Sequence, residues 1–142
     1  MDNEIIGVIF PLPEGIAKRI LNRKKTIFLK YLTHNHSNKS KIKLKKGIKL
    51  FIYISKLQKT VFGEALIDKV EYFSKSEVPK NYSKKLMLNC FELREYSKGR
   101  ENKKMVFLHL KRIKRYLKPK KINVPITMAG RYLIKGDDYL NV

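Results

Sequence analysis

The chain has no tryptophan and one cysteine, Cys90. A single cysteine excludes an internal disulfide framework and any multi-cysteine zinc site, so an apolar core must hold the fold. No stretch approaches the roughly 20 apolar residues of a membrane-spanning helix. Met1-Asp2-Asn3-Glu4 is acidic where a secretory signal would be basic, and the apolar run behind it is short. The expectation is a soluble, cytoplasmic protein with no membrane partner. There is no Gly-rich phosphate loop, no Gly-x-Ser-x-Gly elbow and no Cys/His pair with catalytic spacing, hence no cofactor motif. Acidic residues are also scarce, with 12 Asp and Glu against 33 Lys and Arg, a formal charge of +21.

The 142 residues suit one domain, 1–142, and 43% hydrophobic residues suffice for a real core. A folded domain carrying this much like charge repels itself, which points to a polyanion as partner. The charge is uneven. Gly15 to Gly63 holds 14 Lys/Arg and no acid, and Asn102 to Gly136 holds 11 and none. Between them, Glu64 to Glu101 is nearly balanced, with 7 acids and 8 bases. The two acid-free tracts are expected to meet on one basic face, with the balanced segment elsewhere. A uniform lysine coat is the alternative.

Hydrophobic patterning predicts a buried strand over Glu4 to Phe10, ended by Pro11 and Pro13, and a helix from Pro13 and Glu14 to about Arg23. Further strands are expected at Thr26–Leu32, Lys49–Ser55, Thr60 to about Phe73 with a bulge at Gly63, and Lys104 to about Leu117. Thr33 to Ser40 reads as a loop, and Glu77 to Lys98 as one or two short helices. This is an α+β domain of five or six strands built on a curved sheet.

Catalytic stock is thin. His34-Asn35-His36 lacks a third metal ligand and reads as exposed loop, while His109 reads as a hydrogen-bonded strand histidine. Asp137 and Asp138 read as a turn, and Cys90 as a small core residue. No metal or cofactor is expected. Binding residues are plentiful. Arg23, Lys24, Lys25 and Thr26 fall where the first helix meets the second strand, with Lys30 and Tyr31 beyond, a grouping that suits phosphate contacts. Tyr53 and Ser55 end the central strand. Tyr31, Tyr53, Tyr116 and Tyr132 are candidates for stacking on unpaired bases, with core packing the alternative for Tyr53. Arg112, Lys114, Arg115 and Arg131 would hold a nucleic-acid backbone.

Three segments, Ile5-Ile6-Gly7-Val8-Ile9-Phe10-Pro11, Lys25-Thr26-Ile27-Phe28-Leu29-Lys30-Tyr31 and Pro125-Ile126-Thr127-Met128-Ala129-Gly130-Arg131-Tyr132-Leu133, resemble the archaeal domain-of-unknown-function family numbered 365. That family is similar to the PUA-like superfamily, beside ASCH, EVE and YTH domains. The resemblance implies a small twisted β-barrel with flanking short helices, and binding of RNA or modified nucleobases. Against the Gly-x-Lys-Thr turn of ASCH proteins, Lys25 and Thr26 match, while Asn22 or Arg23 replaces the glycine. Phe28 stands at an acidic or hydroxyl position, and Lys30 at an arginine.

The expected function is a nucleic-acid-binding module, RNA before DNA, whose PUA-like pocket accepts a modified or flipped base. One alternative is an ASCH-type hydrolase, a ribonuclease or modified-nucleoside amidohydrolase, with Lys25 and Thr26 in the catalytic roles. The other is a non-specific binder of duplex DNA.

Overall fold

The computed structural model describes residues 5–31, 44–54, 60–122, 126, 130–134 and 140–141. The elements run β1 (Ile5–Leu12), α1 (Glu14–Leu21), β2 (Ile27–Tyr31), β3 (Lys49–Ile54), β4 (Thr60–Ser74), α2 (Cys90–Ser97), β5 (Lys104–Ile122), β6 (Arg131–Ile134) and β7 (Leu140–Asn141). Two 3₁₀ turns, Lys75–Glu77 and Lys80–Tyr82, lead from β4 toward α2. The expected loop Thr33–Ser40, the pair His34 and His36, Ser55, and Asp137 and Asp138 lie outside the described residues.

One sheet organises the domain, in the order β2-β5-β4-β3-β1-β6, with β7 pairing β5 at its far end. Among the described strands only β1 and β3 pair in parallel, with α1 and β2 between them in the chain. No strand pairing joins β2 to β6 among the described residues, so the expected closed barrel is replaced there by an open, curled sheet. The curl is deep. Phe10 on β1 stacks on Phe28 of β2, strands far apart in sheet order, with ring centroids 5.4 Å apart and planes 15° from parallel.

The inner face of this curl holds the main core, including Val8, Phe10, Phe28, Ile52, Ile67 and Leu108, joined by Ala17, Ile20 and Leu21 of α1. A second cluster lies on the reverse face of β1 and β3, where Ile9, Phe51, Tyr53, Val61, Ile122 and Leu133 meet. β3 is buried on both faces, as a continuous apolar run in a central strand requires.

Local chemistry accounts for several boundaries. β1 runs past Phe10 through Pro11, although prolines were expected to end it. Pro11 lies beyond the last pairing with β6 (Ile9 with Arg131), where one edge has no strand partner among the described residues and a missing N–H is tolerated. α1 stops at Leu21 instead of Arg23. The Arg23 N–H donates to the Ile20 carbonyl and the Lys24 N–H to the Arg19 carbonyl, a Schellman closure whose turning residue is Arg23 itself, at φ 61°. β5 reaches Ile122, well past Leu117, because bulges absorb its extra residues. At Gly63 an added Cβ would fall 2.5 Å from both Leu21 Cδ2 and the Lys114 carbonyl oxygen, so the absence of a side chain lets α1 and β5 close over β4.

α2 begins with a capping box. Asn89 Oδ1 accepts from the Glu92 N–H at 2.8 Å, and Glu92 Oε1 accepts from the Asn89 N–H at 2.8 Å. The same carboxylate receives a fork from Arg19 of α1 at 2.6 and 2.9 Å, which ties the two helices together. Cys90, expected in the core, is exposed on the first turn of α2.

Candidate nucleic-acid interface

The C-terminal turn of α1 abuts the second half of β5. Arg23 donates from Nε and Nη2 to the Ile113 carbonyl at 3.1 and 3.0 Å, and Arg115 Nη1 donates to Asn22 Oδ1 at 3.0 Å. These contacts span the two acid-free tracts, so the tracts do meet. They bring Arg23 and Lys24 beside Arg112, Lys114 and Arg115, all five exposed. Among the described residues none of the five is ion-paired. Arg112 adopts a left-handed backbone, φ 52°, where β5 carries one residue more than β4 between its pairings with Leu66 and Glu64.

The balanced segment is not kept apart from this face. Glu64 and Asp68 sit on β4 beside β5 and engage Lys49 at 2.8 Å and Lys111 at 2.9 Å. Burial opposes ionisation of Glu64, but hydrogen bonds from Lys49 and from the Tyr116 hydroxyl (2.7 Å) hold its carboxyl below the usual range. Burial and the same carboxylate push the Tyr116 phenol up. The β4 acids pair with Lys49 and Lys111, Glu64 also acting on Lys114 opposite it in register, and the strip of five cations at α1 and β5 keeps a net positive charge.

β2 distributes the remaining candidates over two faces. Phe28 and Lys30 turn to the inside of the curl, where Lys30 Nζ lies 5.5 Å from the centre of the Phe10 ring. Lys30 is half-buried and has no ion-pair partner among the described residues. Burial lowers its pKa, and the Arg100 guanidinium lowers it further. Gly130, at φ 81°, brings its backbone against the same ring; an added Cβ would lie 2.4 Å from Phe10 Cδ1. The three segments that carry the family resemblance thus meet at Phe10. Phe28 stacks on Phe10, and no carboxylate stands beside Lys30 on β2.

Lys25 and Tyr31 lie toward the helical layer. Lys25 Nζ donates to the Lys84 carbonyl at 3.0 Å. Thr26 continues β2 through its backbone, its N–H donating to the Lys85 carbonyl at 3.0 Å and its carbonyl accepting from Leu110. Tyr31 is buried against Tyr96, centroids 5.1 Å apart, with the Arg100 guanidinium 4.5 and 4.7 Å from the two ring centres. Tyr53 is buried in the second cluster, and Arg131 is half-buried opposite Ile9. The structure therefore groups Arg23, Lys24, Arg112, Lys114 and Arg115, and places Lys30 in the curl. Lys25, Tyr31, Tyr53 and Arg131 fall elsewhere.

Arg100 was missed by the sequence reading. It lies in the charge-balanced segment, and its signal was the spacing from Tyr96, four residues earlier, whose carbonyl accepts from its guanidinium. His109 is a hydrogen-bonded strand histidine, its Nε2 2.6 Å from Glu71 Oε1, and the Tyr82 hydroxyl donates to that same oxygen at 2.6 Å. No group of three or more metal-ligating side chains occurs among the described residues, and no helix there is long and apolar enough to cross a membrane.

A family model described as "Domain of unknown function (DUF365)" matches residues 5–135. The chain belongs to the DUF365 family. Its fold is similar to that of the ASCH protein from Zymomonas mobilis. The crystal structure of that protein gives a TM-score of 0.72 at 18% identity, over 92% of this chain and 89% of the other. A serine-to-alanine mutant of the same protein gives 0.75 at 19% identity, over 94% and 92%. A tyrosine-to-phenylalanine mutant gives 0.73 at 16%, over 92% and 91%. At such identities the likeness speaks for the fold. Among curated proteins no relative matches. The DUF365 chain therefore has an ASCH-like fold, mostly sheet with two α-helices among the described residues.

Proposed function

We propose that this DUF365 domain is a nucleic-acid-binding module, with RNA preferred to DNA. The observation that carries the reading is the junction of α1 with β5, where Arg23 on the Ile113 carbonyl and Arg115 on Asn22 gather five exposed cations, none of them in a salt bridge among the described residues, from two distant tracts. Such a strip binds successive phosphates and fixes register without reading sequence. The curl at Phe10, with Lys30 as a half-buried cation and Gly130 holding the backbone close, supports a second element. This is a PUA-like pocket that takes a flipped or modified base, with Lys30 donating to a base carbonyl. The deep curl supports a barrel-like reading of the sheet.

The test is a fluorescence-anisotropy titration with single-stranded RNA, duplex RNA and duplex DNA of matched length at two salt concentrations, with RNA integrity checked afterwards. RNA is expected to bind more tightly and to remain intact, with log K falling by about 0.7 per neutralised phosphate on single strands and about 0.9 on duplex. Lys24→Glu with Lys114→Glu should lower both affinity and slope, whereas Lys98→Glu, on the balanced segment, should change neither. Affinity indifferent to salt would overturn the reading. Equal binding to all three nucleic acids would leave only a charge-driven coat, and cleaved RNA would favour an ASCH-type hydrolase.

A further inference from the structure

Between its pairings of Arg115 with Gly63 and Lys120 with Val61, β5 advances five positions while β4 advances two. Tyr116 to Pro119, four residues opposite the single Phe62, leave the ladder as a bulged crest in the middle of the most basic stretch of the chain. Leu117 is fully exposed at this crest, the most exposed large apolar side chain among the described residues. It is flanked by Arg115, Lys118, Lys120 and Lys121. A leucine in water on a cationic ribbon gains nothing from the fold, and a lone one would pass as ordinary surface.

Its mounting argues otherwise. Tyr116, one residue before, is half-buried against the second cluster and donates its hydroxyl to Glu64 at 2.7 Å. The Lys120 ammonium lies 5.0 Å from the centre of the Tyr116 ring, which joins the two ends of the bulge. Glu64 is held in turn by Lys49 at 2.8 Å. Bulges re-aim side chains, and this one carries an apolar tip on an anchored base, with Pro119 restricting the chain on its far side.

We infer that Leu117 is a wedge that inserts at a weakened base step of a nucleic-acid duplex while the flanking cations hold the phosphates on either side. Apolar side chains set in cationic surfaces act in this way, exchanging lost base stacking for buried apolar contact. The inference rests on the nucleic-acid reading above and adds a substrate class to it: duplex interrupted by a mismatch or bulge, where a step opens at least cost.

The test uses a short RNA duplex with one mismatch and the fluorescent base 2-aminopurine beside it, titrated with the full chain and with Leu117→Ala. Leu117 touches no core residue, so the variant folds, and Leu117→Met supplies a control that keeps an apolar tip. The wild type should raise 2-aminopurine fluorescence on binding and prefer the mismatched to the perfect duplex. Leu117→Ala should bind the mismatched duplex about tenfold more weakly with the same salt slope, lose the fluorescence rise, and bind the perfect duplex unchanged. Leu117→Met should behave as wild type. If the wild type binds but Leu117→Ala matches it in affinity and fluorescence, the wedge is overturned while nucleic-acid binding stands. A wild type that binds no nucleic acid overturns both. A Leu117-dependent change in oligomeric state with no change in fluorescence assigns the tip to self-association and also overturns the wedge.

Discussion

Arg23 turns the chain out of α1 with a left-handed backbone and, from that position, places its guanidinium on the Ile113 carbonyl of β5 at 3.0–3.1 Å. Glycine is the usual residue at such a turn. Of Asn22 and Arg23, the two candidates for that place, Arg23 is the one with positive φ, while Asn22 has φ −87°. A non-glycine residue accepts a cost of about 1 kcal/mol in this conformation, and here the cost is offset by two hydrogen bonds to the Ile113 carbonyl of β5.

Substitutions at Arg23 should separate these two effects. Arg23→Ala keeps the backbone cost and loses the bonds, and should destabilise the domain by about 1–2 kcal/mol in urea denaturation. Arg23→Gly loses the same bonds but relieves the strain, and should fall within about 0.5 kcal/mol of wild type. Both should weaken RNA binding alike, because the lost cation is common to them. A glycine variant as unstable as the alanine variant would show that the left-handed backbone carries no strain.

Lys30 should trade stability for binding. Its amine is lowered in pKa by burial and by Arg100, so the ammonium is disfavoured in the folded state. A base whose folded pKa is depressed costs stability below that folded value, and the cost fades as pH rises toward about 10.4, the ordinary lysine value. Lys30→Met, which keeps the length of the stem against Phe10, should therefore be more stable than wild type at pH 7. The gap should narrow by pH 10.5, and RNA affinity should drop at pH 7. Urea midpoints at the two pH values check the sign; a methionine variant less stable at pH 7 would contradict it.

The Arg19–Glu92 fork should mark the acid limb of stability. Arg19 and the Asn89 N–H hold the Glu92 carboxyl down at about 2. A carboxylate with a depressed folded pKa stabilises above its unfolded value, and that stability is lost as pH falls from about 4.3 toward about 2. Glu92→Gln should cost about 1–2 kcal/mol at pH 7, discounted for a pair that is partly solvated. The difference from wild type should shrink steadily below pH 4. Denaturation curves at pH 7, 4 and 2.5 would expose a constant difference, which would mean that packing and not charge ties α1 to α2.

The elements that follow from period and breaker residues were legible in the chain itself. β2, β3 and β4, the start of α1 and the bulge at Gly63 each follow from a local pattern. The length of β5 was not legible, because alternation fails across Arg112–Tyr116 where the bulges lie, and Pro119 imitates a strand end. The curl was illegible for a different reason: nothing local says that Phe10 will stack on Phe28. Charge tracts foretold the α1–β5 strip, yet they could not reveal that Glu64 and Asp68 sit inside the basic sheet. Nor could adjacency in sequence reveal that Lys25 and Lys30 contact different layers, one the Lys84 carbonyl and the other the Phe10 ring.

Gly63 gives the sharpest link from fold to function. Its position admits no Cβ, since Leu21 Cδ2 and the Lys114 carbonyl oxygen would each lie 2.5 Å away. A flexible leucine tip can yield, but the Lys114 carbonyl belongs to the β4–β5 ladder and cannot move without shifting Arg115, which Gly63 pairs directly. Gly63→Ala should therefore cost about 2–3 kcal/mol and push α1 away from β5. Because the Arg23–Ile113 and Arg115–Asn22 contacts span that same seam, the variant should also disperse the cationic strip. Its RNA affinity should fall even under conditions where circular dichroism shows it fully folded, and its salt slope should fall as fewer phosphates are neutralised at once. Leu21→Ala, which only loosens the apolar side of the seam, should lose comparable stability yet keep the salt slope. Equal slopes in wild type and Gly63→Ala would mean that the strip does not depend on this close approach.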